Sequence, residues 1–81
     1  MKFKIRLDTV NNAALFVAKC SEYKCDIDYS YDRYVIDAKS LMGVLSTGLE
    51  HTCMVEIHTD DAKLADRFRK SVAMWIVGED I

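Results

Sequence analysis

Polar and apolar residues alternate from Lys2 to Leu7, with Phe3, Ile5 and Leu7 on one side and Lys2, Lys4 and Arg6 on the other. A period of two with one charged face predicts a strand that is packed on one side and wet on the other. From Asn11 the period lengthens. Ala13, Phe16, Val17 and Cys20 share a helical face, with Tyr23 at its edge and Lys19 and Glu22 opposite. Thr9, Asn11 and Asn12 crowd the start, where side-chain oxygens can accept from the free N–H groups of a first turn.

The shorter period returns at Ile27, Tyr29 and Tyr31, with Asp26, Asp28 and Ser30 facing the other way. Asp32-Arg33 reads as a tight turn that lacks the glycine usual in two-residue hairpins. Tyr34, Ile36 and Ala38, alternating with Val35 and Asp37, form the return strand. Ser40 then opens a short apolar helix from Leu41 to Thr47, which Gly48 stops. Cys53, Val55 and Ile57 mark one face of a fourth strand. Asp60 or Asp61 starts a last helix with the stripe Leu64, Ala65, Phe68, Val72, Trp75 and Ile76.

The predicted order is β-α-β-β-α-β-α, an α+β chain in one domain spanning residues 1–81. Each strand has a single apolar face, so all three helices should cover the same side of the sheet. A β-α-β connection makes the first two strands parallel, and an antiparallel fourth strand fits between them. The expected architecture is a two-layer, open-faced sandwich on a four-stranded sheet. Phe3, Ile5, Phe16, Ile27, Ile36, Val55, Phe68 and Val72 should be buried between the layers.

Composition narrows the function classes. The net charge is -2, with both signs interleaved, so no basic face is offered to nucleic acid. Cys20, Cys25 and Cys53 make an odd count without a C-x-x-C pair, which argues for free thiols in a reducing compartment. The opening MKFKIRLD has no apolar leader core, and no apolar run approaches the roughly 18–20 residues that span a bilayer. A cytoplasmic protein without membrane contact is expected. His51, Cys53 and His58 are the only hint of a metal site. Cys53 belongs with inward Val55 and Ile57, and His58 with outward Glu56, so the ligands diverge and no metal is expected. Cys20 reads as a buried apolar residue. No nucleophile-base set, Gly-rich phosphate loop or carboxylate pair stands out, so neither a cofactor nor enzymatic catalysis is expected.

The stretch Ala38-Lys39-Ser40-Leu41-Met42-Gly43-Val44-Leu45-Ser46-Thr47-Gly48 resembles the second-helix signature of HPr, the small phosphocarrier of the bacterial sugar phosphotransferase system. A Lys-Ser-Ile-Met-Gly-Val-type run follows the third strand in that family, and the element order agrees over the whole chain. The resemblance implies an antiparallel sheet in the order 1-4-2-3. It also implies a histidine at the start of the first helix, followed by Ala-Arg-Pro, which accepts and donates the phosphoryl group. Here Thr9 occupies the histidine position, and Asn11 and Asn12 stand at the arginine and proline positions. A threonine without a nearby base would form a stable ester rather than a labile phosphoramidate. No histidine occurs before His51.

Two readings stay open at each remaining site. Thr9, Asn11 and Asn12 are either a plain helix cap or a remnant anion site. Ser40 is an N-cap or, as the resemblance implies, a regulatory phosphorylation site. Leu41, Met42 and Leu45, with Gly48 close by, form an exposed surface for protein partners, or a short helix buries most of them. The resemblance names the partners as a serine kinase and a transcriptional regulator, or components of the phosphotransferase system. The expected function is a regulatory or protein-binding HPr-like domain without phosphohistidine transfer. The alternative is a working phosphocarrier that uses His51 as a displaced acceptor.

Overall fold

The structure, a computed structural model, describes residues 1–79. Its elements are β1 (Lys2–Ile5), α1 (Val10–Cys20), β2 (Ile27–Tyr31), β3 (Tyr34–Asp37), α2 (Leu41–Ser46), β4 (Cys53–Ile57), α3 (Ala62–Ser71) and β5 (Ile76–Glu79). A single 3-10 turn, Ala73–Trp75, joins the last two. The strands form one antiparallel sheet in the order β3-β2-β4-β1-β5. Reading from β1, the order 1-4-2-3 is the expected one. In the central pairs Phe3 and Tyr29 both stand opposite Val55.

Phe3, Ile5, Ile27, Tyr29, Val55 and Ile57 turn to the helix side and are at most 1% exposed. Ala13, Phe16, Cys20, Val44, Ala65 and Phe68 reach the same core from the three helices. Lys2, Lys4 and Arg6 stay exposed on the opposite side. Aromatic rings tie the layers together: Phe3 meets Phe68 at 5.9 Å, Phe16 meets Tyr29 at 5.9 Å, and the Trp75 ring stands edge-on to Phe16 at 6.0 Å. Among the described residues, no buried side-chain nitrogen or oxygen lacks a partner. No helix among them is long and apolar enough to cross a membrane.

Two expectations need correction. The stripe from Leu64 to Ile76 is not one helix. It breaks after Ser71, turns at Val72–Trp75 and continues as a fifth strand alongside β1. Without that strand, the outer edge of β1 would keep a row of unpaired backbone groups. The Arg6 N–H donates to the Trp75 carbonyl at 3.0 Å, which extends the pairing beyond the strand ends. The β-branched Ile76-Val77 pair followed by Gly78 favours a strand over another helical turn. The second correction is Ile36, which is partly buried rather than sealed in the core. It sits on an edge strand, where only β2 flanks it.

Local turn chemistry follows the residues. The β2–β3 hairpin closes without glycine because Asp32 adopts φ +56°, a left-handed conformation that aspartate tolerates better than most residues. Gly48 follows the last turn of α2 at φ +81°, with its N–H bonded to the Leu45 carbonyl at 3.2 Å.

Candidate functional site

The first part of the site is the entry to α1. Asp8 has φ +67°, and the tight turn around it carries the Thr9 N–H to the Leu7 carbonyl at 2.8 Å. Left-handed backbone at a non-glycine residue is costly and is held by its surroundings. Here the Asp8 N–H donates to the Leu49 carbonyl at 3.0 Å, and the Asp8 carboxylate accepts from Arg6 Nε at 2.6 Å. Thr9 is the N-cap: its Oγ1 accepts from the Asn12 N–H at 3.1 Å. The Asn12 amide donates back to the Leu7 carbonyl at 2.8 Å, while Asn11 is exposed. No basic residue sits in this first turn, and Arg6 is committed to Asp8. The hydroxyl at position 9 therefore works as a hydrogen-bond acceptor for the helix, and the neighbouring Asp8 carboxylate and Arg6 guanidinium are paired with each other.

The second part is α2. Ser40 is its N-cap, exposed, with Oγ accepting from the Gly43 N–H at 3.2 Å. A Cβ on Gly43 would meet Ser40 Oγ at 3.2 Å and Ile36 Cδ1 at 3.4 Å, so a small residue here keeps the cap close to β3. Met42 is 81% exposed and Leu41 37%, whereas Val44 is fully buried. Leu45 packs partly against the core, so the outward apolar surface of α2 rests mainly on Leu41 and Met42. Lys39, next to Ser40, extends to donate from Nζ to the Tyr23 carbonyl at 2.5 Å, which holds its charge against the end of α1.

The third part joins α2 to β4, and its chemistry was not legible in the sequence. The His51 ring stacks on Tyr31 with centroids 3.6 Å apart and planes 15° from parallel. His51 Nε2 lies 2.6 Å from the Thr47 carbonyl, which can only accept, so Nε2 carries the proton. Nδ1 is then an acceptor and faces Cys53 Sγ at 3.2 Å. Behind Cys53 lies the buried Tyr29 phenol, close enough to Cys53 and Thr47 for each to influence its ionisation. Burial, reinforced by the Cys53 contact, pushes the Tyr29 phenol well above its ordinary range, and burial also raises the Cys53 thiol. A Cβ on Gly48 would come within 3.3 Å of His51 Nε2, so Gly48 serves both the turn and the close approach of the imidazole. Both ring nitrogens of His51 are occupied, and the cluster links α2 to the sheet.

His58 lies on the outer face of the sheet, 2.7 Å from Asp28 and 3.9 Å from Glu56. Cys20 is fully buried, and desolvation pushes its thiol up to about 12. Among the described residues, no three His, Cys, Asp or Glu side chains gather as they would around a metal ion. Sequence reasoning missed the Asp8 turn and the Tyr31–His51 stack, because Asp8 is held by Leu49 and His51 meets a tyrosine twenty residues earlier, contacts that no local pattern marks.

Solved structures of known function share this fold. The chain is similar to HPr-C-His of Thermoanaerobacter tengcongensis, with 23% identity, a TM-score of 0.75, and 91% of this chain and 88% of that chain covered. It is similar to the phosphocarrier protein HPr of Bacillus anthracis, with 20% identity, a TM-score of 0.72, and coverage of 94% and 95%. It is also similar to the histidine-containing phosphocarrier protein of Mycoplasma, with 17% identity, a TM-score of 0.73, and coverage of 96% and 100%. At these identities the likeness speaks for the fold. No curated protein matches the sequence. A family model described as the PTS HPr component phosphorylation site matches residues 9–73. With most of its length matched, this chain belongs to the HPr family of the phosphotransferase system.

Proposed function

We propose that this member of the HPr family acts by binding proteins, through α2 and the adjoining start of α1, and not by carrying a phosphohistidine. The carrying observation is Thr9: where the family resemblance calls for an acceptor imidazole, the side chain is a hydroxyl that caps its own helix. His51 is a poor substitute, because Nε2 is held by the Thr47 carbonyl and Nδ1 by Cys53. A phosphoryl acceptor needs a free ring nitrogen that faces solvent. The exposed Met42 and Leu41 beside the Ser40 cap supply an apolar contact surface for a partner. In this reading the protein is cytoplasmic and not an enzyme. Its partners are components of the phosphotransferase system, or a serine kinase and a transcriptional regulator.

Incubation of the full chain with the system's first enzyme and phosphoenolpyruvate should yield no acid-labile phosphoryl protein. Thr9→His alone should restore little transfer, because Asn11 offers no guanidinium to the transferring oxygens. A stoichiometric phosphohistidine at His51, read by phosphorus NMR, would overturn the proposal in favour of the carrier.

Ser40 is the regulatory site in this reading. Phosphorylation there would add close to two negative charges, about -1.5 to -2 near neutral pH, at a helix start whose N–H groups can donate to the phosphate oxygens. Lys39 is held at the Tyr23 carbonyl, so the new charge would remain available to an arginine-bearing partner. The family's serine kinase with ATP should raise the intact mass by one phosphate, mapped to Ser40. An unmodified chain beside a phosphorylated control carrier would leave Ser40 as a cap alone, worth about 1 kcal/mol against Ser40→Ala.

A further inference from the structure

β3 pairs with β2 on one side and, among the described residues, with no strand on the other. The two-residue turn makes Tyr31 and Tyr34 a hydrogen-bonded pair, so the backbone groups of Tyr34 and Ile36 face β2. The Ala38 N–H bond to the Ile27 carbonyl, 2.9 Å, keeps the same parity. The N–H and C=O of Val35, and the N–H of Asp37, therefore point to the open edge. Natural edge strands are usually guarded by proline, lysine or a bulge. This one has none of these, its protection being only its four-residue length and Asp37 at its end: it reads Tyr34-Val35-Ile36, with Tyr34 60% and Val35 65% exposed.

The residues along this edge are self-complementary. Arg33, Val35 and Asp37 alternate along the chain with Tyr34 and Ile36. An antiparallel copy centred on Val35 brings Arg33 opposite Asp37 twice, Val35 opposite Val35, and Tyr34 opposite Ile36. The electrostatics of the outer face favour this register. Asp37 stands opposite Asp28, and Asp28 opposite Glu56, which makes a row of three carboxylates across the sheet. Like charges in directly opposed positions are destabilising. At the far end Lys2 lies 4.0 Å from Glu56, and His58 lies 2.7 Å from Asp28. The Asp37 carboxylate, at the open end, accepts the backbone N–H of Lys39 at 2.9 Å and has no cation beside it among the described residues. Arg33 is exposed and has no ion-pair or hydrogen-bond partner among the described residues.

We propose that β3 is a self-association edge, on which a second copy of this chain pairs antiparallel about a two-fold axis at Val35. Both Val35 residues exchange N–H and C=O bonds, the Asp37 N–H groups meet the Arg33 carbonyls, and each Arg33 guanidinium closes the carboxylate row of its partner. The contact is isologous, so it ends at two copies and joins two five-stranded sheets into one. A single short strand per copy buries less than a standard interface, so the dimer is a transient one.

Sedimentation equilibrium of the full chain from micromolar to millimolar concentration tests this. The average mass should rise from 9.3 kDa towards twice that value, and hydrogen exchange at the Val35 amide should slow as the dimer fills. Val35→Lys, which places like charges face to face on the axis, should leave a monomer with unchanged amide NMR shifts outside β2 and β3. Arg33→Asp should weaken the dimer about tenfold, and the swapped pair Arg33→Asp with Asp37→Arg should return it to within about threefold. A chain that stays monomeric at millimolar concentration would overturn the proposal. So would a dimer that Val35→Lys leaves intact, or exchange at Val35 that slows only when an unrelated extended peptide is added.

Discussion

Replacement of Phe16 by alanine is expected to remove about 3–5 kcal/mol of folding stability. Phe16 is fully buried on α1 and touches both layers, meeting Tyr29 of β2 and the edge of the Trp75 ring. Its removal leaves a cavity where helix, sheet and the turn before β5 meet, and none of the three can close it alone. A domain of this length has roughly 4–12 kcal/mol in total. The variant should therefore melt about 15–25 °C or more below the parent, or be partly unfolded at room temperature. Met42→Ala is the control: at 81% exposure it should change stability by no more than about 0.5 kcal/mol. Urea titration followed by near-ultraviolet circular dichroism would measure both. A Phe16→Ala loss below about 1.5 kcal/mol would contradict the packing described above.

Alkaline pH should destabilise the fold steeply, from about pH 9 upward. Cys20 is the main cause. Buried among apolar neighbours, its thiol is pushed up to about 12, against an ordinary value of 9.0. Above pH 9 the unfolded chain releases that proton while the folded protein keeps it, so the folded state binds more protons and loses stability as pH rises. The loss is about 1.4 kcal/mol per pH unit, continues to about pH 12, and is absent below the unfolded value. Tyr29 and Cys53 act in the same direction, since burial raises both. The phenol of Tyr29 ionises near 10.0 in an open chain, so its contribution begins above that pH. Denaturation midpoints measured from pH 7 to pH 11 should fall continuously above pH 9. Cys20→Ala should flatten the fall while lowering stability modestly at pH 7. A parent profile flat to pH 11 would show that the thiol titrates freely and is not sealed in the core.

The limits of sequence reading are visible in particular residues. The alternation at Phe3 and Ile5, at Ile27 and Tyr29, and at Cys53, Val55 and Ile57 was legible because a strand with one buried face must repeat every two residues. The helix starts were legible among Thr9, Asn11 and Asn12, at Ser40, and at Asp60 or Asp61; the structure puts the caps on Thr9, Ser40 and Asp61, whose side-chain oxygens accept from their own first turns. These signals are local, so a linear pattern carries them. The end of the last apolar stripe was misread for the same reason. Val72, Trp75 and Ile76 keep a helical spacing, and only the open edge of β1, distant in sequence, draws Ile76 and Val77 into a strand.

The sequence by itself determined the class of fold, the order 1-4-2-3 of the first four strands, most of the core, and the hydroxyl at position 9. The fold class, the core and the hydroxyl follow from periodicity, capping chemistry and residue identity, whereas the strand order was implied by the family resemblance of the stretch from Ala38 to Gly48. The tertiary structure alone decided the fifth strand, the commitment of Lys39 to the Tyr23 carbonyl, and the state of His51. The imidazole has no local pattern that marks it. Its tautomer and its unavailability come from a carbonyl four residues back, a thiol two residues on and a tyrosine in another strand. Hydrogen bonds and ring stacking depend on distances of a few ångströms between parts of the chain that only folding brings together. The open edge of β3 has the same origin: the residues Arg33 to Asp37 are written in the chain, but their outward-facing amides exist only once β2 has taken the other side.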